Sequence, residues 1–264
     1  MDKETIQVLA EQLFQAENTR VPIPPYTENG YPDMTYEDAY RIQLAALDLK
    51  LAAGQKIVGK KVGLTNKNVQ KKRGITEPDY GHLLDNRICN QDEPLKMSEL
   101  MVGPSVECEL AFIMKEDLMG PGVTAASVFA AVAGVIPAIE IVERRFYPLC
   151  KSVIDSIADN AAFGRVILGD RMTPVENLDF RTIGCLIEKN GMPIDTATAA
   201  TVMGNPLESV AWLVNKLAGY GVGLKKGEIV MSGSVGLMHT ASAGECYYAH
   251  FGGGLGSVKV CFVP

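Results

Sequence analysis

The spacing of apolar residues divides the chain into a helical start and a strand-dominated remainder. Ile6, Leu9, Leu13 and Phe14 share one helical stripe and predict a helix over about 3–17. Pro22, Pro24, Pro25, Gly30 and Pro32 then forbid a continuing helix. Thr35 with Asp38 three residues on is an N-capping pattern, with Asp in the place a capping box gives to Glu. It predicts a second helix from Tyr36 to about Ala53, ended at Gly54. Residues 1–55 therefore read as an N-terminal helical region and 56–264 as the main domain.

From residue 56 onward, short β-rich runs recur at 56–64, 106–114, 138–142, 166–168, 182–188, 228–231, 246–250 and 257–262. Helical patterns interrupt them at 125–133 and 206–217, the second opening on Asn205-Pro206, an N-cap followed by a first-turn proline. Asn190-Gly191 between apolar runs predicts a hairpin turn, because both residues tolerate positive φ. Strands that outnumber helices without regular alternation define an α+β fold rather than repeated βαβ units. No internal repeat is present.

Composition narrows the class. Hydrophobic residues are 47% and charged residues 21% of 264, ordinary values for a folded globular chain, so disordered, collagenous and small disulfide-framework classes are excluded. A net charge of −6 argues against nucleic acid as a partner, since that affinity rests on clustered cations. The charged start Met1-Asp2-Lys3-Glu4 has no apolar core after it, and the apolar stretch Val128 to Ile139 is short and holds Gly134 and Pro137. The expectations are a cytoplasmic protein with no membrane segment. Cys89, Cys108, Cys150, Cys185, Cys246 and Cys261 form no C-x-x-C pair and are expected to be reduced thiols, mostly in the core.

Candidate chemistry is concentrated in a few places. Glu107 and Glu109 are two apart in an apolar run, so on a strand both carboxylates share a face, and Glu140 lies in a similar apolar context. Three strand-borne carboxylates suit a hard divalent ion, Mg2+ or Mn2+, rather than zinc. The same spacing fits a half-exposed strand with Cys108 inward and both acids in solvent. The segment 56–74 holds Lys56, Lys60, Lys61, Lys67, Lys71, Lys72 and Arg73 with no acid, which either focuses an anionic substrate or is a solvated face. Within it Lys61, flanked by Gly59 and Gly63, is a candidate for proton transfer. Asp79 in Glu77-Pro78-Asp79-Tyr80-Gly81 also reads as a turn residue, and Asp159-Asn160 as a helix cap. Ser232-Gly233-Ser234 either presents backbone N–H groups to a carboxylate or is a plain turn. The run Gly252 to Gly256 precedes a strand, the wrong context for a phosphate loop, and His82, His239 and His250 lack ligand spacing.

Taken in order, these motifs resemble the 2-keto-4-pentenoate hydratase / 4-oxalocrotonate decarboxylase family. The matching stretches are Lys61 to Thr65, Glu77 to Gly81, Val106 to Phe112, Val135 to Val142, Ala158 to Ala161, Glu188 to Gly191, Gly204 to Pro206, Val210 to Leu213 and Gly254 to Val258. They cover essentially the whole chain, including Tyr31-Pro32 and Thr35 to Gln43. The resemblance implies the fumarylacetoacetate-hydrolase-type mixed β-roll over 56–264, with Mg2+ or Mn2+ held by Glu107, Glu109 and Glu140. It places the catalytic lysine on Lys61 and a catalytic acid on Asp79; Leu64, Arg165 and Ser232 complete the candidate site as substrate-binding residues. Many members carry Ser where this chain has Ala162, so no hydrogen bond is carried over there.

The activity so implied is hydration of 2-hydroxypenta-2,4-dienoate, or a longer homologue, to a 4-hydroxy-2-oxo acid in meta-cleavage catabolism of aromatic compounds. The alternative is decarboxylation of 4-oxalocrotonate, which uses the same site. Asp79 and Gly236-Leu237-Met238 lean toward the hydratase; Arg165 and Arg171-Met172 match decarboxylases, and Arg165 could pair with a second carboxylate. A non-catalytic metal-binding protein on the same fold is the remote alternative. The expected partners are a small anionic 2-oxo or 2-hydroxydienoic acid, further copies of the chain in a homo-oligomer, and a pathway decarboxylase or hydratase.

Overall fold

The computed structural model describes residues 1–264. Helix α1 (Lys3–Thr19) is capped by Asp2, whose side chain accepts from the Thr5 N–H, and it buries Ile6, Leu9 and Leu13. Helix α2 (Tyr36–Ala52) opens on the expected capping box: Thr35 and Asp38 each accept from the other's backbone N–H. Strand β1 (Ile57–Gly63) and the short helix α3 (Lys67–Arg73) follow, the latter carrying the exposed Lys67, Lys71, Lys72 and Arg73 of the basic segment. Strand β2 (Asp79–Leu84) is wholly buried, so Asp79 opens a strand instead of sitting in a turn.

Next come β3 (Ile88–Asn90), β4 (Leu95–Lys96), the long β5 (Ser105–Met114), helix α4 (Ala125–Ala131) and β6 (Val132–Val142). The helix expected over 125–133 stops earlier and the strand starts earlier, because Gly134 and Pro137 cannot continue a helix. Helix α5 (Val153–Ala158) and strand β7 (Phe163–Leu168) lead to the hairpin β8 (Gly184–Lys189) and β9 (Met192–Thr198), which turns on Asn190 and Gly191 at φ 52° and 77°. Helix α6 (Pro206–Ala218) has Asn205 as its N-cap, as expected. Strands β10 (Ile229–Met231), β11 (His239–Thr240), β12 (Cys246–Phe251) and β13 (Gly256–Val263) complete the chain.

Two mixed sheets result. The larger runs β2-β1-β10-β5-β6-β7-β3, with β11 also paired to β5; the smaller runs β4-β13-β12-β8-β9. One face of the larger sheet, carrying Val106, Cys108, Leu110, Phe112, Ile139 and Ile141, joins the smaller sheet and helices α1 and α2 in one continuous buried cluster. On its other face Leu83, Ala111, Ala138, Phe163, Val166 and Met231 form a second, smaller cluster. That second face carries the site.

The helical region braces a strand of the site. Gln43 of α2 is buried and donates both to the Tyr80 carbonyl (3.0 Å) and to the Ile157 carbonyl (2.7 Å), while Tyr40 stacks on Tyr80 with ring centroids 4.6 Å apart. No helix is long and apolar enough to cross a membrane. One expectation about the cysteines is corrected: Cys246 and Cys261 form a disulfide, and the other four are free. The antiparallel register of β12 and β13 sets these two residues directly opposite each other, which their separation in sequence does not reveal.

Candidate active site

The acidic triad is created by strand register. Glu107 and Glu109 alternate with inward-packed Cys108 on β5, and Glu107 lies directly opposite Glu140 of β6. Their carboxylates converge, with one oxygen from each residue lying within 4.8 Å of the others. Glu109 and Glu140 are buried and Glu107 is half-buried, so the group meets solvent on the Glu107 side. The reading with both acids of β5 in solvent does not hold.

Such a cluster is costly without a cation. At an effective dielectric of about 20, two carboxylates about 4.8 Å apart repel by roughly 3 kcal/mol. Burial raises the Glu109 pKa, and the neighbouring Glu140 raises it further. Burial pushes Glu140 up to about 7 against the opposing pull of Lys61. The donor set is all oxygen, and the buried Glu140 Oε2 has no hydrogen-bond partner, as expected of an atom reserved for a metal ion. The residues fit a hard divalent cation.

Lys61 reaches this group from β1. Its Nζ donates to Glu140 Oε1 at 2.6 Å and to the Ala161 carbonyl at 2.9 Å. Burial works against the ammonium, but Glu140, Glu107, Glu109 and Asp79 outweigh it and hold the Lys61 pKa above the ordinary lysine value. Asp79 stands two positions along the same face of the β1/β2 pair: Lys61 is opposite Gly81, and Asp79 is opposite Gly63. Each of these side chains thus faces a glycine. A Cβ on Gly63 would lie 2.2 Å from Asp79 Oδ1, so only glycine leaves room for the carboxylate. Asp79 Oδ1 is buried without a partner, and burial pushes the carboxyl up to about 6 although Lys61 pulls it down.

Two backbone turns close the site. After β10, the Gly233 N–H donates to Glu109 Oε2 at 2.8 Å, and a Cβ on Gly233 would lie 2.3 Å from Thr65 Oγ1. The Ser232-Gly233 turn therefore does present an N–H to a carboxylate, but that of the protein's own Glu109. Ser232 is buried with an unpartnered Oγ, and Leu64, at φ 56°, turns β1 toward Thr65 and accepts from Gln70 Nε2. The second turn is Asn160-Ala161-Ala162, three consecutive left-handed residues at φ 53°, 53° and 55°. It follows α5, so Asp159 caps that helix at its C-terminal end, its N–H donating to the Asp155 carbonyl. For non-glycine residues that conformation costs roughly 1–2 kcal/mol each.

Arg165 does not join the group. It is opposite Ile141 in the β6/β7 register, whereas Glu140 is opposite Val166, so Arg165 projects from the other face of the sheet. Its Nε donates to Glu143 Oε1 (3.2 Å) and its Nη2 to the Glu99 carbonyl (2.7 Å). The structure thus gathers Lys61, Asp79, Glu107, Glu109 and Glu140, sets Leu64 and Ser232 at the edges, and leaves Arg165 outside. Sequence reasoning missed the Ala161 carbonyl and the roles of Gly63 and Gly81, which depend on register; it offered the Gly233 N–H but not Glu109 as its acceptor.

An all-oxygen carboxylate triad with a lysine at its side, on one face of a mixed sheet, defines a site for a hard divalent metal. The fumarylacetoacetate hydrolase C-terminal family model matches residues 56–263, and the chain belongs to that family. Among its relatives, a 2-hydroxypent-2,4-dienoate hydratase of Pseudomonas putida is 43% identical over 222 residues, covering 84% of this chain and 100% of the relative. A 2-oxo-hept-4-ene-1,7-dioate hydratase of Escherichia coli is 38% identical, covering 99% of both chains. The solved 4-oxalocrotonate decarboxylase from Pseudomonas putida G7, complexed with magnesium and adipate, superposes with a TM-score of 0.95 at 35% identity, over 100% of this chain and 99% of that one.

Proposed function

We propose that the protein is a metal-dependent hydratase that converts 2-hydroxypenta-2,4-dienoate and water to 4-hydroxy-2-oxopentanoate. The observation that carries this reading is Asp79, a buried carboxylate with an unpartnered oxygen on the same face as Lys61. Hydration needs two groups that exchange protons, one toward carbon and one from water, whereas loss of CO2 needs no group to activate water. The hydratase relative at 43% identity supports the same choice.

Glu107, Glu109 and Glu140 would hold Mg2+ or Mn2+, which when bound polarises the 2-oxo acid end of the substrate and offsets its negative charge. The protein's own residues do the rest. Lys61, held protonated among four carboxylates, delivers a proton to C5 and recovers one from the 2-hydroxyl as the dienol becomes the conjugated 2-oxo-3-enoate. Asp79, its carboxyl pushed up to about 6, is ionised for the most part at neutral pH and takes a proton from the water that adds at C4, while a proton is returned to C3. Burial of both groups keeps bulk water from competing.

Decarboxylation of 4-oxalocrotonate is the second reading, supported by the close superposition on the decarboxylase. It loses the support once lent by Arg165, which is engaged by Glu143 on the other face of the sheet. The deciding experiment supplies both substrates with Mg2+. Consumption of the dienoate without CO2 release supports the hydratase; CO2 from the diacid, with the dienoate untouched, overturns it. Cytoplasmic location and assembly as a homo-oligomer, alone or with a pathway decarboxylase, belong to the same reading.

Metal binding should depend on pH in a defined direction. The raised carboxyls of Glu109 and Glu140 must give up protons before they hold a cation, so acid competes with the metal. The rise in Tm produced by Mg2+ is expected to grow between about pH 6 and about pH 8 as pH passes the Glu140 value of about 7. Comparing each pH with its own metal-free sample cancels contributions from other groups, such as His82. An equal rise at both pH values would contradict the ligand assignment.

A further inference from the structure

The left-handed turn at Asn160-Ala161-Ala162 is an unusual conformation with an identifiable product: it aims the Ala161 carbonyl at Lys61 Nζ, 2.9 Å away. Strained backbone persists only where its surroundings over-determine it, and here three sets of contacts do so. The Asn160 side chain clamps the turn onto β2, its Oδ1 accepting from the His82 N–H (2.8 Å) and its Nδ2 donating to the His82 carbonyl (3.0 Å). Buried Arg145 holds the preceding residue, donating from its backbone N–H and Nε to the Asp159 carboxylate and from Nη2 to the Asp159 carbonyl (2.6 Å). Its Nη1 donates to the Phe163 carbonyl (2.7 Å) just after the turn.

The turn can approach β2 only because residue 81 is glycine. A Cβ there would lie 2.5 Å from the Asn160 carbonyl oxygen. Gly81 is the residue directly opposite Lys61, so the empty position beside the lysine is filled by the turn that supplies its acceptor. Burial, clamp and missing side chain all converge on the same turn.

We infer that Asn160 and Gly81 are positioning residues: they seat the left-handed turn so that the Ala161 carbonyl, together with Glu140, fixes the direction of the Lys61 ammonium. The carbonyl is a neutral acceptor that cannot be protonated, so it orients the ammonium without drawing off its proton. This inference rests on the proposed proton-transferring role of Lys61. It deepens that role by naming what aims the proton.

The test uses full-length Asn160→Ala, Asn160→Asp and Gly81→Ala beside the wild type and Lys61→Met, all with Mg2+ and 2-hydroxypenta-2,4-dienoate. Asn160→Ala and Gly81→Ala are expected to lose kcat by about 10- to 100-fold, the scale of an ångström-level misplacement. KM and the Mg2+ concentration for half-activation are expected to change by less than about threefold, because neither variant touches the acidic triad. Asn160→Asp keeps the acceptor for the His82 N–H but loses the donor, and is expected to lie between alanine and wild type; it also carries the test if a harsher variant does not fold. Wild-type kcat in folded variants, or a loss spread in proportion over kcat, KM and Mg2+ half-activation, overturns the inference. Full activity in Lys61→Met, or none in the wild type, instead overturns the functional reading on which it rests.

Discussion

Replacing Lys61 by methionine is expected to cut kcat by about 100- to 10,000-fold, the usual worth of a positioned proton-transferring group. Methionine keeps most of the volume and the apolar stem, so the loss reports the ammonium and not a cavity. The substitution also strips Glu140 Oε1 of its 2.6 Å partner. Breaking a buried ion pair typically costs about 3–5 kcal/mol, because the remaining charge is left uncompensated. The metal-free variant should therefore melt well below the metal-free wild type, and Mg2+ should restore more of the difference than it adds to the wild type. Steady-state kinetics and melting curves with and without EDTA check both parts. A kcat within tenfold of the wild type would remove Lys61 from the chemistry.

The second large effect comes from Glu109→Gln, which is expected to abolish Mg2+-dependent turnover at metal concentrations that saturate the wild type. The fold should not suffer. The Gln side-chain oxygen still accepts from the Gly233 N–H, and the change removes one of three like charges that converge within 4.8 Å. With repulsion of roughly 3 kcal/mol per pair at an effective dielectric of about 20, the metal-free variant should melt at or above the metal-free wild type. Stability and activity thus move in opposite directions, which separates a metal ligand from a structural residue. Full activity, or a marked fall of the EDTA melting temperature, would contradict the assignment.

Much of this site could be read before any coordinates, for a reason that differs from residue to residue. Glu107 and Glu109 share a face because strand geometry has a period of two, and that needs only the apolar run around them. The capping box at Thr35 and Asp38, the hairpin at Asn190-Gly191 and the Asn205 cap are local signals and occur as expected. Meeting of Glu140 with Glu107 depends on the β5/β6 register, which no local pattern specifies; only the family resemblance implies it.

The failures are long-range in the same sense. Only the turn alternative for Asp79 fails, not the candidate role that the resemblance gives it: proline and glycine surround it, yet the β1 pairing makes it the first residue of a buried strand. Arg165 matched a motif, but its position opposite Ile141 turns it to the other face, where Glu143 holds it. Cys246 and Cys261 looked like unrelated thiols until antiparallel pairing set them side by side. The Asn160 turn had no sequence signature beyond an Asp-Asn pair, because its conformation is imposed by Arg145, His82 and the vacancy at Gly81.

The central chemistry is addition of water to a diene at a carboxylate-held metal site beside Lys61 and Asp79. Its most direct measurement follows 2-hydroxypenta-2,4-dienoate with Mg2+ in heavy-oxygen water, by diene absorbance and mass spectrometry of the product. The predicted result is loss of absorbance with one heavy oxygen at C4 of 4-hydroxy-2-oxopentanoate, abolished by EDTA. Persistence of the diene in the presence of Mg2+, or a product without the label at C4, would contradict it.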